Sequence, residues 1–361
     1  MTLTLPSARE EAWRWTDLSG LPAIVAAVPD AGRDALALAA MPAAIASERT
    51  DTRLLFVDGV LHSSSTPGRV RLSAVDARTD HALGRHATAD GWTLDLAPGQ
   101  IANVEVVHVA TGAASHVPAH VILAPDAVAS VTETFVGDGW TNRFFRAELG
   151  KGARLMRAVR LLHASGFQSL RDEALLGEGA SLVATVLGAG EGSSRVDALV
   201  TIAGEQAFAE YGGAMLARGE QRHEAAAVVR HAAPHGQSHQ SWRAVADDRA
   251  VASLAARVEV ARHAQKTDGI QSLKGLLLKR TATVNIKPEL EIFADDVKCA
   301  HGATVGELDR QSLFYLASRG VDPARARAIL TRAFVADALD RIGEEAVRDA
   351  FVADADRWLD A

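Results

Sequence analysis

The chain has a single cysteine, Cys299, among 361 residues. One thiol cannot form an internal disulfide, so nothing points to an oxidising compartment. Long apolar runs are missing as well. The stretch from Leu21 to Ala46 is broken by Asp30, Arg33 and Asp34, and no uncharged segment approaches the ~18 to 20 residues that cross a bilayer. The opening residues, MTLTLPSAREEAW, reach acidic side chains at Glu10 and Glu11 without an apolar signal core. A cytoplasmic protein is the expectation. Positive charge is in deficit: 38 Lys and Arg against 45 Asp and Glu leave a net −7. That argues against nucleic acid, because phosphate binding needs a basic face. The glycine-rich GEGASLVATVLGAGEG at 177–192 has no lysine after it, so it is no phosphate loop.

What is present is a globular balance, 48% hydrophobic and 23% charged residues, enough to bury a large core. Residues 1–100 read as an N-terminal region, helical and then mixed. EEAWRWTDL (10–18) offers Trp13 and Trp15 as apolar anchors. Ala35 to Ala46 is alanine-rich and helix-prone, with Pro42 limiting it. RLLFVDGVLH (53–62) reads as two short strands about Asp58-Gly59, a strong hairpin signal.

Residues 101–306 are dominated by short β-like runs between glycine- and aspartate-rich turns. In RVDALVTIA, Val196, Ala198, Val200 and Ile202 share one face, with Arg195, Asp197 and Thr201 opposite. ATVNIKPELEIFA alternates most cleanly, with Val284, Ile286, Leu290 and Ile292 on one side. Pro288 cannot donate a ladder hydrogen bond and is expected at a corner between two strands. Sandwich, barrel and β-solenoid all remain open. Abundant alanine at inward positions favours the narrow solenoid, whose turns would be irregular because no fixed period is visible. Residues 307–361 change to helical patterning. A short helix ends at Gly320, Asp322-Pro323 opens a second, and Leu330, Phe334, Ala338 and Ile342 form an apolar stripe. A third segment carries Val347, Phe351 and Trp358. Such a unit caps the core or docks a partner.

Few residues invite chemistry. His231, His235 and His239 are four apart, but Pro234 and Gly236 break the helix that would align them, so a polar turn is expected. The adjacent pairs Asp247-Asp248 and Asp295-Asp296 point to opposite faces on a strand and read as turn residues. In ADDVKCAHGATVG (294–306), Cys299 and His301 are metal-competent side chains among Lys298, Asp295 and Asp296. A nearby cation favours the thiolate. Two ligands cannot close a site that normally takes four.

QKTDGIQSLKGLLL (265–278) and NIKPELEIFADDVKCAHGATVGELDRQSLFYLASRG (285–320) resemble the SufB/SufD family, scaffold subunits of the SufBCD iron–sulfur cluster assembly machine. EEAWRWTDL and VVRHAAPHGQSH (228–239) add fragments of the same likeness. The cysteine-free 265–278 segment and the form of CAHGATVGELD match the SufD branch, a SufB-like paralogue being the alternative. The resemblance implies a mainly β fold, a right-handed parallel β-helix core flanked by helical regions. It implies a scaffold with no catalytic residues, pairing with SufB through the β-helix core and sharing a transient nascent iron–sulfur cluster at that interface. His301, in the family's CxHG turn, is the implied ligand, with Cys299 beside it. It further implies that the ATPase SufC docks on the C-terminal helices, for which Leu330, Phe334 and Ile342 are the candidate contacts. A homodimer is possible when the chain is isolated. Flavin is associated with such complexes, and no flavin motif is readable here. The competing class, a polysaccharide-active β-helix enzyme, would need an aromatic platform, and aromatics are only 5%.

Overall fold

Strand patterning with period two and tight glycine turns produces a parallel β-solenoid. The computed structural model describes residues 4–27, 44–45, 48–76, 78–87 and 90–360. The helix expected from Ala35 to Ala46 falls almost wholly outside them. The chain opens with a short helix α1 (Leu21–Ala26) and a hairpin of β1 (Thr52–Val57) and β2 (Val60–Leu61). Asp58 and Gly59 both have positive φ, 47° and 79°, as the tight turn read from the sequence requires. β3 (Val70–Ala74) pairs antiparallel with β4 (Asp90–Leu96). Parallel pairing begins with β1 and β4, each laid against β5 (Ile101–Leu123).

From there the chain winds. β5 and β6 (Val128–Leu149) are long enough to cross from one sheet to the other, bending near Gly112 and Gly137. A Cβ on Gly137 would lie 2.0 Å from the Ala110 carbonyl oxygen, so stacked corners approach too closely for any other residue. Sheet one continues through β7 (Arg154–Leu161), β9 (Ser181–Gly188), β11 (Phe208–Ala217), β13 (Gln237–Ala246), β15 (Asp268–Leu277) and β17 (Lys298–Glu307). Sheet two stacks β8 (Phe167–Leu176), β10 (Ser193–Ile202), β12 (Arg222–His231), β14 (Val251–Val260) and β16 (Thr283–Ile292). All these pairings are parallel. The step between turns grows from 27 residues where Ile101 faces Val128 to 29 where Ser194 faces His223 and 32 where Val251 faces Thr283. That drift hides the repeat from a fixed-period search.

The two inner faces meet in one apolar core. Ala198, Ala225, Ala227, Ala252 and Ala256 are all buried on sheet two, letting the sheets close on larger residues such as Trp242 and Leu273. Pro288 departs from expectation. It lies within the unbroken strand β16, opposite Ala256. Among the described residues β16 pairs only with β14, and an edge strand tolerates a residue without an N–H.

Arg195 and Asp197, on the face opposite the apolar one, are also buried, at 2% and 7% exposure. The N-terminal segment covers them: the Arg195 guanidinium lies 3.7 Å from the Trp13 ring centre and pairs with Asp197 and Glu224. Three helices follow β17: α2 (Arg310–Ser318), α3 (Pro323–Leu339) and α4 (Glu345–Asp360). Asp309 and Asp322 cap α2 and α3, accepting hydrogen bonds from backbone N–H groups of the first turn. The outer face of sheet one, through Leu187, Leu216 and Val245, receives Val335, Leu339, Phe351 and Trp358. A buried ion pair, Arg160 Nε to Asp354 Oδ2 at 2.6 Å, fixes α4 in place. No described helix is long and apolar enough to cross a membrane.

Candidate functional site

The last turn of the solenoid is bare. Among the described residues, no strand pairs with β16 or β17 on the side away from the core. Inward residues that are buried in every earlier turn are therefore partly open here. β16 presents Val284, Ile286 and Leu290, all half-buried, and β17 presents Cys299, His301, Ala303 and Val305. Val305 is 46% exposed, and Phe293, in the connection, 56%. Unpaired strand edges beside apolar side chains are adhesive surfaces.

Cys299 and His301 lie in strand β17, not in the turn the sequence suggested. The parallel register stacks Cys299 over Gly269 and His301 over Gln271, so both side chains project from the inner face. Inward neighbours on one strand stand roughly 6.6 Å apart, close enough to bind adjacent metal atoms of one cluster. Cys299 packs against Val258, Val260 and Ala264. Burial pushes its thiol pKa up, and Asp268 adds to the rise. The burial and Asp268 outweigh any cationic activation, and the thiol is held protonated. His301 is exposed.

The neighbouring acids do not join them. Asp296 pairs with Lys266, and Asp295 is exposed in the bend before β17. Asp248 engages Lys279 in the turn after β13, as a turn residue should. The three histidines are dispersed. His231 is buried with Nε2 2.8 Å from Ser238 Oγ, His235 sits in a turn with φ 59°, and His239 meets the Phe208 ring edge-on. No cluster of three metal-competent side chains forms among the described residues.

The C-terminal stripe splits. Ile342 is 2% exposed, packed onto the solenoid with Leu339 and Val347, so it serves the internal joint and is unavailable to a partner. Leu330 and Phe334 are half-buried. The outward residues are Phe314 and Tyr315 on α2, 76% and 57% exposed, beside an open groove of about 440 Å³ between α2 and α3.

A family model described as SUF system FeS cluster assembly, SufBD core domain, matches residues 106–334. The chain belongs to the SufB/SufD family. Relatives named for this role include the iron–sulfur cluster assembly protein SufD of Escherichia coli, 26% identical over 97% of this chain and 88% of that protein. A SufBD family protein of Synechocystis is 25% identical over 94% of this chain and 84% of its own length. Protein ABCI7 of Arabidopsis chloroplasts is 42% identical across a shorter stretch, 32% of this chain and 25% of its own. Together they favour the SufD side of the SufB/SufD family.

Within this SufB/SufD chain the solenoid interior holds residues that no motif announced. Glu133 and Arg157 project into the lumen from sheet one, and Arg143 and Asp172 from sheet two. Arg143 Nε donates to Glu133 Oε1 at 2.6 Å, and Arg157 bridges Glu133 and Asp172, the latter through two bonds of 2.8 and 3.0 Å. Tyr211 donates to Asp172 Oδ2 at 2.8 Å. Burial alone would raise the Glu133 carboxyl, but Arg143 and Arg157 hold it well below the usual carboxylate range. The signal was there in weak form: Arg157 sits in phase with Leu155, Val159 and Leu161, an inward position by alternation.

Proposed function

We propose that this chain is a non-catalytic scaffold subunit on which an iron–sulfur cluster is assembled, and that the bare last turn is its working surface. One observation carries the reading: on the inner face of that turn, Cys299 and His301 are the metal-competent side chains in an otherwise apolar set. Imidazole and thiolate both suit iron. A SufB-type subunit covers this edge, continues the two sheets and supplies the remaining ligands, and a second copy of this chain takes its place when the partner is missing. The cluster is cargo, and incomplete coordination from each side lets it leave. An ABC-type ATPase of the SufC kind docks on the C-terminal helices through Phe314, Tyr315 and the half-buried Leu330 and Phe334. The reading is supported by the family, by the open strand edges and by the exposed aromatic pair.

The test is co-expression of this chain with both subunits in cells lacking their own copy. His301→Ala should retain both partners and lose cluster assembly, whereas Phe314→Ser with Tyr315→Ser should lose the ATPase alone. Normal cluster assembly by His301→Ala would refute the ligand role, and retention of the ATPase by the double variant would refute the docking surface.

A further inference from the structure

The parallel register draws one axial file along the inner face of sheet one. Gln240 stands opposite Gln271, and Gln271 opposite His301. Both glutamines are 1% exposed. Each reaches across the lumen in the same way: Gln240 Nε2 donates to the Arg257 carbonyl at 3.0 Å, and Gln271 Nε2 to the Glu289 carbonyl at 3.3 Å. Each leaves its Oε1 buried with no hydrogen-bond partner among the described residues. An unpaired buried acceptor costs free energy and calls for a use. For Gln240 the file continues into more of this chain. For Gln271 the next member is His301, the residue at the open end.

A histidine that ligates metal through one ring nitrogen carries its proton on the other, and an acceptor for that proton fixes the tautomer and the ring plane. We propose that Gln271 is a positioning residue for His301: its Oε1 accepts the imidazole N–H when the opposite nitrogen ligates iron. The crossing bond to the Glu289 carbonyl holds the amide plane, so the acceptor is set before the metal arrives. Gln271 is itself buried beside Leu273 of the same strand, in the core cluster against which Ile286 also packs, so water is kept from its Oε1. This inference rests on the reading of His301 as a cluster ligand and adds the group that orients it.

The experiment compares four variants in the assembled complex: His301→Ala, Gln271→Leu, Gln271→Glu and Gln240→Leu. Cluster assembly in cells is normalised to soluble protein, and iron retained after anaerobic purification is measured independently. Gln271→Leu should lower both readouts about 10- to 100-fold, the usual effect of removing a partner of a metal-bound histidine. Gln271→Glu, which keeps an acceptor in place, should recover most of the loss. Gln240→Leu removes the same chemistry one turn deeper and should behave as wild type. Equal losses in Gln240→Leu and Gln271→Leu would mean that the amides serve only the fold, overturning the proposal. Wild-type iron retention in Gln271→Leu while His301→Ala fails would overturn positioning but leave the ligand role standing. Wild-type behaviour of His301→Ala would remove both.

Discussion

The solenoid interior around Glu133 and the bare turn around His301 carry polar side chains on the same inner face of the same sheet, under opposite conditions. In the interior, Glu133, Arg143, Arg157 and Asp172 are sealed from water and pair two acids with two bases, so the charges cancel. The buried atom left unpaired there, Arg143 Nη2, is a guanidinium donor and no metal ligand. At the bare turn His301 is exposed and Cys299 only partly covered, its thiol meeting the Gly269 backbone. Identical topology thus yields a structural network in one place and a candidate site in the other. The difference is whether another turn lies above.

The sharpest way to break this comparison is to remove one member of the sealed network. Arg157→Leu leaves Glu133 and Asp172 buried without their shared cation, and loss of a partner from a buried pair costs about 3–5 kcal/mol. Chemical denaturation should show a loss of that size, against a change within about 0.5 kcal/mol for exposed His301→Ala. Equal costs would erase the distinction.

Acid provides a second, smaller probe. Burial pushes His223 and His231 down to about 4 and His163 to about 3, from an ordinary 6.5. A lowered histidine pKa means that the unfolded chain binds the proton first. Stability is therefore complete above pH 6.5 and falls as pH drops from there towards 4, by about 1.4 kcal/mol per pH unit for each such group. Glu133, whose carboxyl is held low, adds its loss only at still lower pH. Denaturation midpoints at pH 7 and pH 5 should differ, and His223→Asn should narrow that difference by about 2 kcal/mol. An unchanged gap would show that His223 is not the proton-excluded group its burial implies.

The smallest effect belongs to Cys299. Its thiol packs against Val258 and Val260, so Cys299→Ser should cost roughly 1 kcal/mol for placing a hydroxyl there. Reactivity gives the sharper reading. With its thiol pKa raised, Cys299 should be alkylated at neutral pH more slowly than a free cysteine, and more slowly again once a partner covers the turn. Fast labelling in both states would place the thiol outside the lumen.

How much of this was legible follows the same divide. The faces of 195–202 and 283–292 showed in the alternation, and the abundance of alanine pointed to a narrow core. The hairpin at Asp58-Gly59 and the helix start at Asp322 were written locally, so local reading found them, while the cap at Asp309 went unread. The sealed charges were not, because Arg157 and Glu133 are compensated by residues 10 to 24 positions away, partly across the lumen from the other sheet. β17 looked like a turn because its inward residues end in exposure and its glycines, Gly302 and Gly306, mimic loop composition. Ile342 continued a helical stripe that sequence could not split between an inner and an outer partner. For the site, the resemblance supplied the role of His301, while Gln271 beneath it emerged only from the register.

The beginning of the solenoid has a consequence for assembly size. There β2 is two residues long and the five-residue β3 runs antiparallel with Arg71, Leu72 and Ser73 all exposed, and edge strands this short resist strand addition. A rod with two adhesive ends joins head to tail and grows into a fibre. On the function proposed above, the adhesive end is the one that carries β16 and β17, and a rod with one such end has a single handshake to give. Association through it would then close after one event, so the same hydrogen-bonding edges that could seed a filament would count to two and stop.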